Sequence, residues 1–151
     1  MADILNLGAG NVILGHATNH DLTRHRPEID VAHDLNVLPW PWPDNSWDQI
    51  VARAVFEHLK LNLVETFNEC WRILRPEGLL VVKVPHWQSD VSYRDPTHYW
   101  QFSPYALHVF DPDTEYGRDY GFYTTRRWKL VNGPELNHSG SSIHATLQVR
   151  K

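Results

Sequence analysis

Short apolar runs separated by turn-forming residues make up most of the chain. Ile4-Leu5-Asn6-Leu7 reads as a strand running into Gly8-Ala9-Gly10. A second extended piece ends at Asn19-His20-Asp21-Leu22. A third, Ile29-Asp30-Val31-Ala32-His33, ends at Asp34-Leu35-Asn36. Pro39-Trp40-Pro41-Trp42-Pro43 is too rich in proline for a helix or a central strand. The polar turn Asp44-Asn45-Ser46 then leads to a fourth strand, Trp47 to Ala52. At Leu63, Phe67, Cys70 and Leu74 the apolar period becomes helical, with Glu65, Glu69 and Arg72 on the other faces. Arg75-Pro76-Glu77-Gly78 stops that helix, because proline removes a donor and glycine permits a reversal.

Leu79 to Val84 is a nearly unbroken apolar run, which predicts a strand buried on both faces. A polar loop covers His86 to His98, and a short helix is expected near Pro104 to Phe110. Two β-rich stretches, Phe122 to Val131 and Ile143 to Val149, close the chain and are expected to pair antiparallel. Strands alternating with helices imply an α/β fold with a mostly parallel central sheet. We expect one domain over residues 1–151, with no repeat and no interdomain linker.

Composition narrows the function classes. A chain of 151 residues with 42% hydrophobic and 21% charged residues is an ordinary globular domain. Folding at that size buries roughly 70% of the surface of the extended chain. No apolar run is long enough to cross a bilayer and no basic-then-apolar leader opens the chain, so no membrane association is expected. The single Cys70 excludes an internal disulfide framework, and a cytoplasmic location is the expectation. A net charge of -4 gives no overall field for a phosphate backbone, so no strong nucleic-acid signal is present. The basic stretch Arg126-Arg127-Trp128-Lys129 reads as a solvated strand face. Seven tryptophans on so short a chain predict an apolar surface that a partner covers, such as a homo-oligomer.

In open α/β sheets ligands gather outside the carboxyl ends of the strands. Gly8 and Gly10 follow the first strand, Asp21 the second and Asp34 the third. Glycine lets a ligand approach the backbone. A carboxylate after the second strand can accept both hydroxyls of a ribose, and a polar group after the third can meet an adenine amine. The three strand ends outline a nucleoside site. The dinucleotide fingerprint fails, because Ile13 stands where its third glycine belongs. Only eleven positions separate Gly10 from Asp21, too few for a helix plus a strand.

The run Leu5 to Gly10, then Asn19 to Leu22, then Asp34-Leu35-Asn36, resembles the class I S-adenosylmethionine-dependent methyltransferases. The likeness continues through Leu38 to Asp48, Val55-Phe56-Glu57-His58-Leu59 and Glu69 to Gly78. It implies a Rossmann-like methyltransferase fold with S-adenosylmethionine as cofactor. Carried over by position, it sets Asn6, Gly8, Ala9 and Gly10 against the methionine part. Asp21 and Leu22 fall at the ribose, Asp34 and Leu35 at the adenine, with Arg53 grouped beside them. Asn6 replaces the acidic residue usual in the first motif, and the first helix is reduced to a loop. A more open site, or one completed by another subunit, is therefore expected.

Methyl transfer from a sulfonium is an in-line displacement, so positioning of the acceptor supplies most of the acceleration. An oxygen acceptor also needs a base or a metal. Glu57, His58, His86 and His98 all fall on the cofactor side of the expected sheet and are the catalytic candidates, with Asp95 beside them. Glu57-His58 with Arg94-Asp95-Pro96-Thr97-His98 also resembles a pattern in metal-assisted O-methyltransferases, where a Glu-His pair and a later His hold a divalent ion. Ala54 stands in the place of that pattern's first Glu, so a metal is not expected unless His86 compensates. The structural alternatives are that His58 caps the next helix, that His86 and His98 are hydrogen-bonded loop residues, and that Trp40 and Trp42 pack over the sheet edge. Two functions fit: a methyltransferase acting on a small molecule or exposed group, or a degenerate S-adenosylmethionine-binding or partner-binding module.

Overall fold

A computed structural model describes all of residues 1–151. Seven strands form one sheet in the order β3-β2-β1-β4-β5-β7-β6. They are β1 (Ile4–Leu7), β2 (Thr18–Asp21), β3 (Val31–Ala32), β4 (Trp47–Arg53), β5 (Leu74–Pro85), β6 (Arg127–Leu136) and β7 (Ser142–Arg150). β1 to β5 run parallel, and β7 pairs antiparallel with both β5 and β6. This is the expected Rossmann-like α/β sheet with its antiparallel closing hairpin. No helix is long and apolar enough to cross a membrane.

The main helix, α1 (Leu63–Ile73), starts at a capping box in which Asn62 accepts from the Glu65 amide and Glu65 accepts from the Asn62 amide. This supplies roughly 1 kcal/mol and sets the register. Phe67, Cys70 and Ile73 on one stripe are fully buried. They meet Leu5, Leu7, Ile50, Ala52, Leu80, Val82 and Leu147 in a single core. Phe67 stacks on Phe110 at 4.1 Å and meets Trp128 edge-on. Phe110 closes the short helix expected at Pro104–Phe110, which is wound as a 3-10 helix. The tighter winding suits a segment ended by Asp111-Pro112. A second helix, α2 (Glu115–Tyr120), was not expected, since its sequence EYGRDY has no apolar stripe. Thr114 caps it through the Gly117 amide.

Two expectations about β5 are corrected. Leu80, Val82 and Val84 are buried, but Leu79 and Val81 are half-buried and Lys83 is exposed, so the strand is not buried on both faces. By register Gln49, Arg53, Lys83, His144, Thr146 and Gln148 share one face, and none of them is buried. The reversal after α1 is also made differently. Glu77 takes the left-handed conformation, φ 62°, and Gly78 is required for space. A Cβ there would lie 2.9 Å from the Arg75 carbonyl oxygen.

The proline-rich loop is held by side chains of α1. Glu69 accepts from the Trp40 amide at 2.9 Å, and Arg72 donates to the carbonyls of Trp40 and Trp42. Trp40 and Trp42 are buried, with the Trp40 indole bonded to the Leu35 carbonyl, so they pack instead of stacking on a ligand. Of the seven tryptophans only Trp87 and Trp100 are exposed. Internal packing therefore accounts for most of the tryptophan content.

Candidate functional site

The loop of residues 8–17 shapes the first part of the site, and two buried asparagines shape the loop. Asn6 Nδ2 donates to the Val12 carbonyl at 2.8 Å and to Asn19 Oδ1 at 2.9 Å. Asn19 in turn accepts from the Leu14 amide and donates to the Leu14 and Ala17 carbonyls. These bonds replace the internal ladder that a helix would have had. They also turn Asn6 inward, away from any ligand. Gly8 and Gly10 adopt φ of 57° and 52°. A Cβ on Gly8 would lie 2.6 Å from Val55 Cγ2, so only glycine fits.

Around these glycines lies a cleft of about 500 Å³. Gly8, Gly10, Asp21, Leu22, Asp34 and Leu35 line it, together with Asn36, Ala54, Val55 and Tyr99. Asp21 ties the strand tips together, accepting from the Gly10 and Leu22 amides at 2.7 Å each. A carboxylate has about four lone-pair sites, so capacity for two ligand hydroxyls remains. Asp34 Oδ1 accepts from Asn36, while Oδ2 makes no bond within the chain. Asn6, Ala9 and Arg53 are not brought to this lining. Asn6 and Ala9 are buried beneath it, and Arg53 is exposed at the end of β4.

A second cleft of about 390 Å³ adjoins the first and shares Ala54 and His58 with it. Glu57, His58, Lys83, Arg94, Asp95 and His98 supply its polar lining. Glu57 is fully buried on a 3-10 turn, Phe56–His58, and neither carboxylate oxygen has a hydrogen-bond partner. Burial pushes its pKa up to about 7. His58 Nδ1 lies 2.9 Å from Thr97 Oγ1, and that hydroxyl donates to Asp95 Oδ1 at 2.8 Å. With the hydroxyl proton spent on Asp95, His58 Nδ1 is the donor to Thr97 and Nε2 carries the lone pair. Burial, with His98 nearby, lowers the His58 pKa and favours the neutral ring. His98 Nδ1 faces the Ser92 carbonyl at 3.0 Å, which leaves its Nε2 free in the same way. The two imidazoles meet edge to face at 4.6 Å.

One ligand atom each from Glu57, His58 and His98 lies within 4.8 Å of the others, a spacing that fits a divalent ion. His86 is not part of this group. Its Nδ1 faces the Gly140 carbonyl at 3.2 Å, and it does not line the second cleft. His58 does not cap α1, because Asn62 does. Several lining residues escaped the sequence reading. His20 lines the first cleft and accepts from the Gly8 amide at 3.4 Å. Lys60, Lys83, Ser141 and Ser142 carry no sequence signal, since each reaches the site only through strand register or loop closure.

A family model described as "Methyltransferase domain" matches residues 15–82. A "Probable S-adenosylmethionine-dependent methyltransferase" of Mycolicibacterium smegmatis is 30% identical over 131 residues, covering 81% of this chain. A relative with that description from Mycobacterium tuberculosis is 31% identical over 138 residues, covering 87% of this chain. The chain spans about half the length of these relatives, 48% in each case. Among solved structures, the YcgJ protein from Bacillus subtilis aligns at a TM-score of 0.65 and 14% identity, over 99% of this chain and 92% of that one. A SAM dependent methyltransferase from Archaeoglobus fulgidus aligns at 0.60 and 14% identity, over 99% and 86%. At such identities the structural likeness speaks for the fold.

Proposed function

Because the chain belongs to the class I S-adenosylmethionine-dependent methyltransferase family, we propose that it transfers a methyl group from that cofactor to an oxygen acceptor. The cofactor lies in the first cleft, with Asp21 at the ribose hydroxyls, Asp34 at the adenine amine, and Gly8 and Gly10 under the methionine part. The acceptor occupies the second cleft. One observation carries this reading: the two clefts meet at Ala54 and His58. A sulfonium on one side and a nucleophile on the other can then align for in-line displacement. Ala54 keeps the junction open, because a larger side chain there would stand between the reactants.

An alcohol attacks well only as its proton leaves. The neutral His58 ring, its Nδ1 bonded to Thr97, offers Nε2 to that proton at neutral pH. His98 and Glu57 stand beside it. Lys83 and Arg94, which make no ion pair or side-chain hydrogen bond, favour an acceptor that also carries negative charge.

Calorimetric titration with S-adenosylmethionine tests the cofactor half. Asp21→Ala should lower affinity by two orders of magnitude or more, since charge-assisted hydrogen bonds contribute roughly 1.5–3 kcal/mol each. No heat with the native chain, or unchanged affinity in Asp21→Ala, overturns the assignment. Release of S-adenosylhomocysteine across a panel of anionic hydroxyl compounds tests the acceptor half. Binding without turnover on any acceptor would leave a cofactor-binding module.

A further inference from the structure

Four of the six tyrosines fall within residues 105–123, and all four are exposed, as is Phe122 among them. Tyr116 and Tyr120, one turn apart on α2, hold their ring centroids at 4.8 Å. Tyr120 faces Tyr123 at 6.4 Å, and Tyr123 meets Phe122 at 4.8 Å. A single exposed aromatic needs no explanation, but a continuous ridge of four marks a surface that something covers.

At one end of the ridge, α2 and the Pro104–Phe110 helix wall a cleft of about 270 Å³. Tyr105 and His108, three positions apart on the 3-10 helix, form one wall with their rings edge to face at 5.4 Å. Tyr116, Glu115 and Asp119 form the other. Nothing in the chain neutralises these two carboxylates. Arg118 stands three positions after Glu115, a spacing that allows pairing, yet its guanidinium donates to the Asp113 carbonyl at 2.9 Å. Arg150 pairs with Asp111 and Asp113. The wall is also preformed. Thr114 caps α2, and a Cβ on Gly117 would overlap the Asp111 carbonyl, so the helix is seated tightly on the body of the protein. The cleft shares no lining residue with the two clefts of the functional site.

Aromatic faces carry negative potential, so three rings beside two free carboxylates form a lining for an organic cation. Guanidinium fits this lining best, because it is weakly hydrated, stacks on aromatic rings and forks onto carboxylates. We infer that the cleft receives an arginine side chain from a basic segment of a partner protein. Apolar residues flanking that arginine lie along the ridge of Tyr120, Tyr123 and Phe122. Aromatic residues are common energetic anchors of protein interfaces, and the net charge of -4 draws a basic partner in. This docking site stands apart from methyl transfer and does not rest on it.

The test titrates the full chain with N-acetyl-arginine amide at low salt and follows backbone amide resonances. Shifts should saturate and centre on Tyr105, His108, Glu115, Tyr116 and Asp119, and added salt should weaken them. The neutral isostere N-acetyl-citrulline amide should leave all five in place. Glu115→Gln combined with Asp119→Asn should lower affinity roughly tenfold. Tyr105→Leu should lower it roughly three- to fivefold and Tyr105→Phe should not, since only the leucine removes the aromatic face. The peptide acetyl-Leu-Arg-Leu amide should bind more tightly than the single amino acid and extend the shifts to Tyr120 and Phe122. No saturable shift with either arginine probe, or equal shifts with citrulline, overturns the site. Loss of the same resonances on phosphatidylcholine vesicles would make the ridge a membrane contact. Shifts that grow with protein concentration alone would make it a contact between copies. Either result overturns the arginine assignment, and neither involves S-adenosylmethionine.

Discussion

Replacing Asn6 by aspartate restores the acidic residue usual in the first motif of the family, and the structure says it should do harm. Asn6 is 3% exposed and spends both amide hydrogens, on the Val12 carbonyl and on Asn19 Oδ1. An ionised carboxylate donates neither. Two hydrogen bonds go, each contributing roughly 1 kcal/mol, and their acceptors are left facing a negative charge, for a total of about 3 kcal/mol. At this chain length about 1 kcal/mol corresponds to 2–4 °C, so melting should fall by roughly 6–12 °C. Protonating the introduced carboxylate returns one donor, so the loss should shrink in acid. Thermal melts at several pH values measure the stability, and calorimetry with S-adenosylmethionine measures the site. Cofactor affinity should fall, because the loop carrying Gly8 and Gly10 loosens. A variant as stable as the parent that binds the cofactor more tightly would refute the reasoning, for Asn6 would then be facing the ligand.

Gly8→Ala should lose about 2–4 kcal/mol in urea denaturation, from a left-handed residue with a side chain and from the Val55 clash. Val55→Ala added to it should recover the clash and leave the backbone cost. His20 is buried with its pKa held below 6.5, so the folded chain resists its protonation. The folded state takes up that proton only at lower pH than the unfolded state. Its contribution is complete above 6.5 and is lost as pH falls through 6.5 toward the folded value. His20→Gln should flatten that part of the stability profile measured by denaturant melts. Cys70 is fully buried with its thiol pKa raised, so iodoacetamide should label it only at the rate of unfolding. Rapid labelling of the native chain would contradict the packing of α1.

Local sequence determined the strand ends and the helix because those signals are short-range. Gly8, Asp21 and Asp34 follow their strands whatever the rest does, and Asn62 with Glu65 starts α1 through four neighbouring residues. Period alone separated the helix from the strands around it. Pairing and exposure depend on what lies across a strand, and there the one-dimensional reading failed. Val81 is half-buried and Lys83 exposed because of what packs, and does not pack, across the sheet, and no window around β5 contains that information. Asn6 looked like a weakened ligand and is a scaffold, since its partners Val12 and Asn19 come together only when the loop closes. Sequence named Glu57, His58, Asp95 and His98 as candidates, but tertiary structure decided that they share one cleft and that His86 does not. His58, Asp95 and His98 lie up to forty residues apart, and one threonine hydroxyl aligns two of them once the chain has folded.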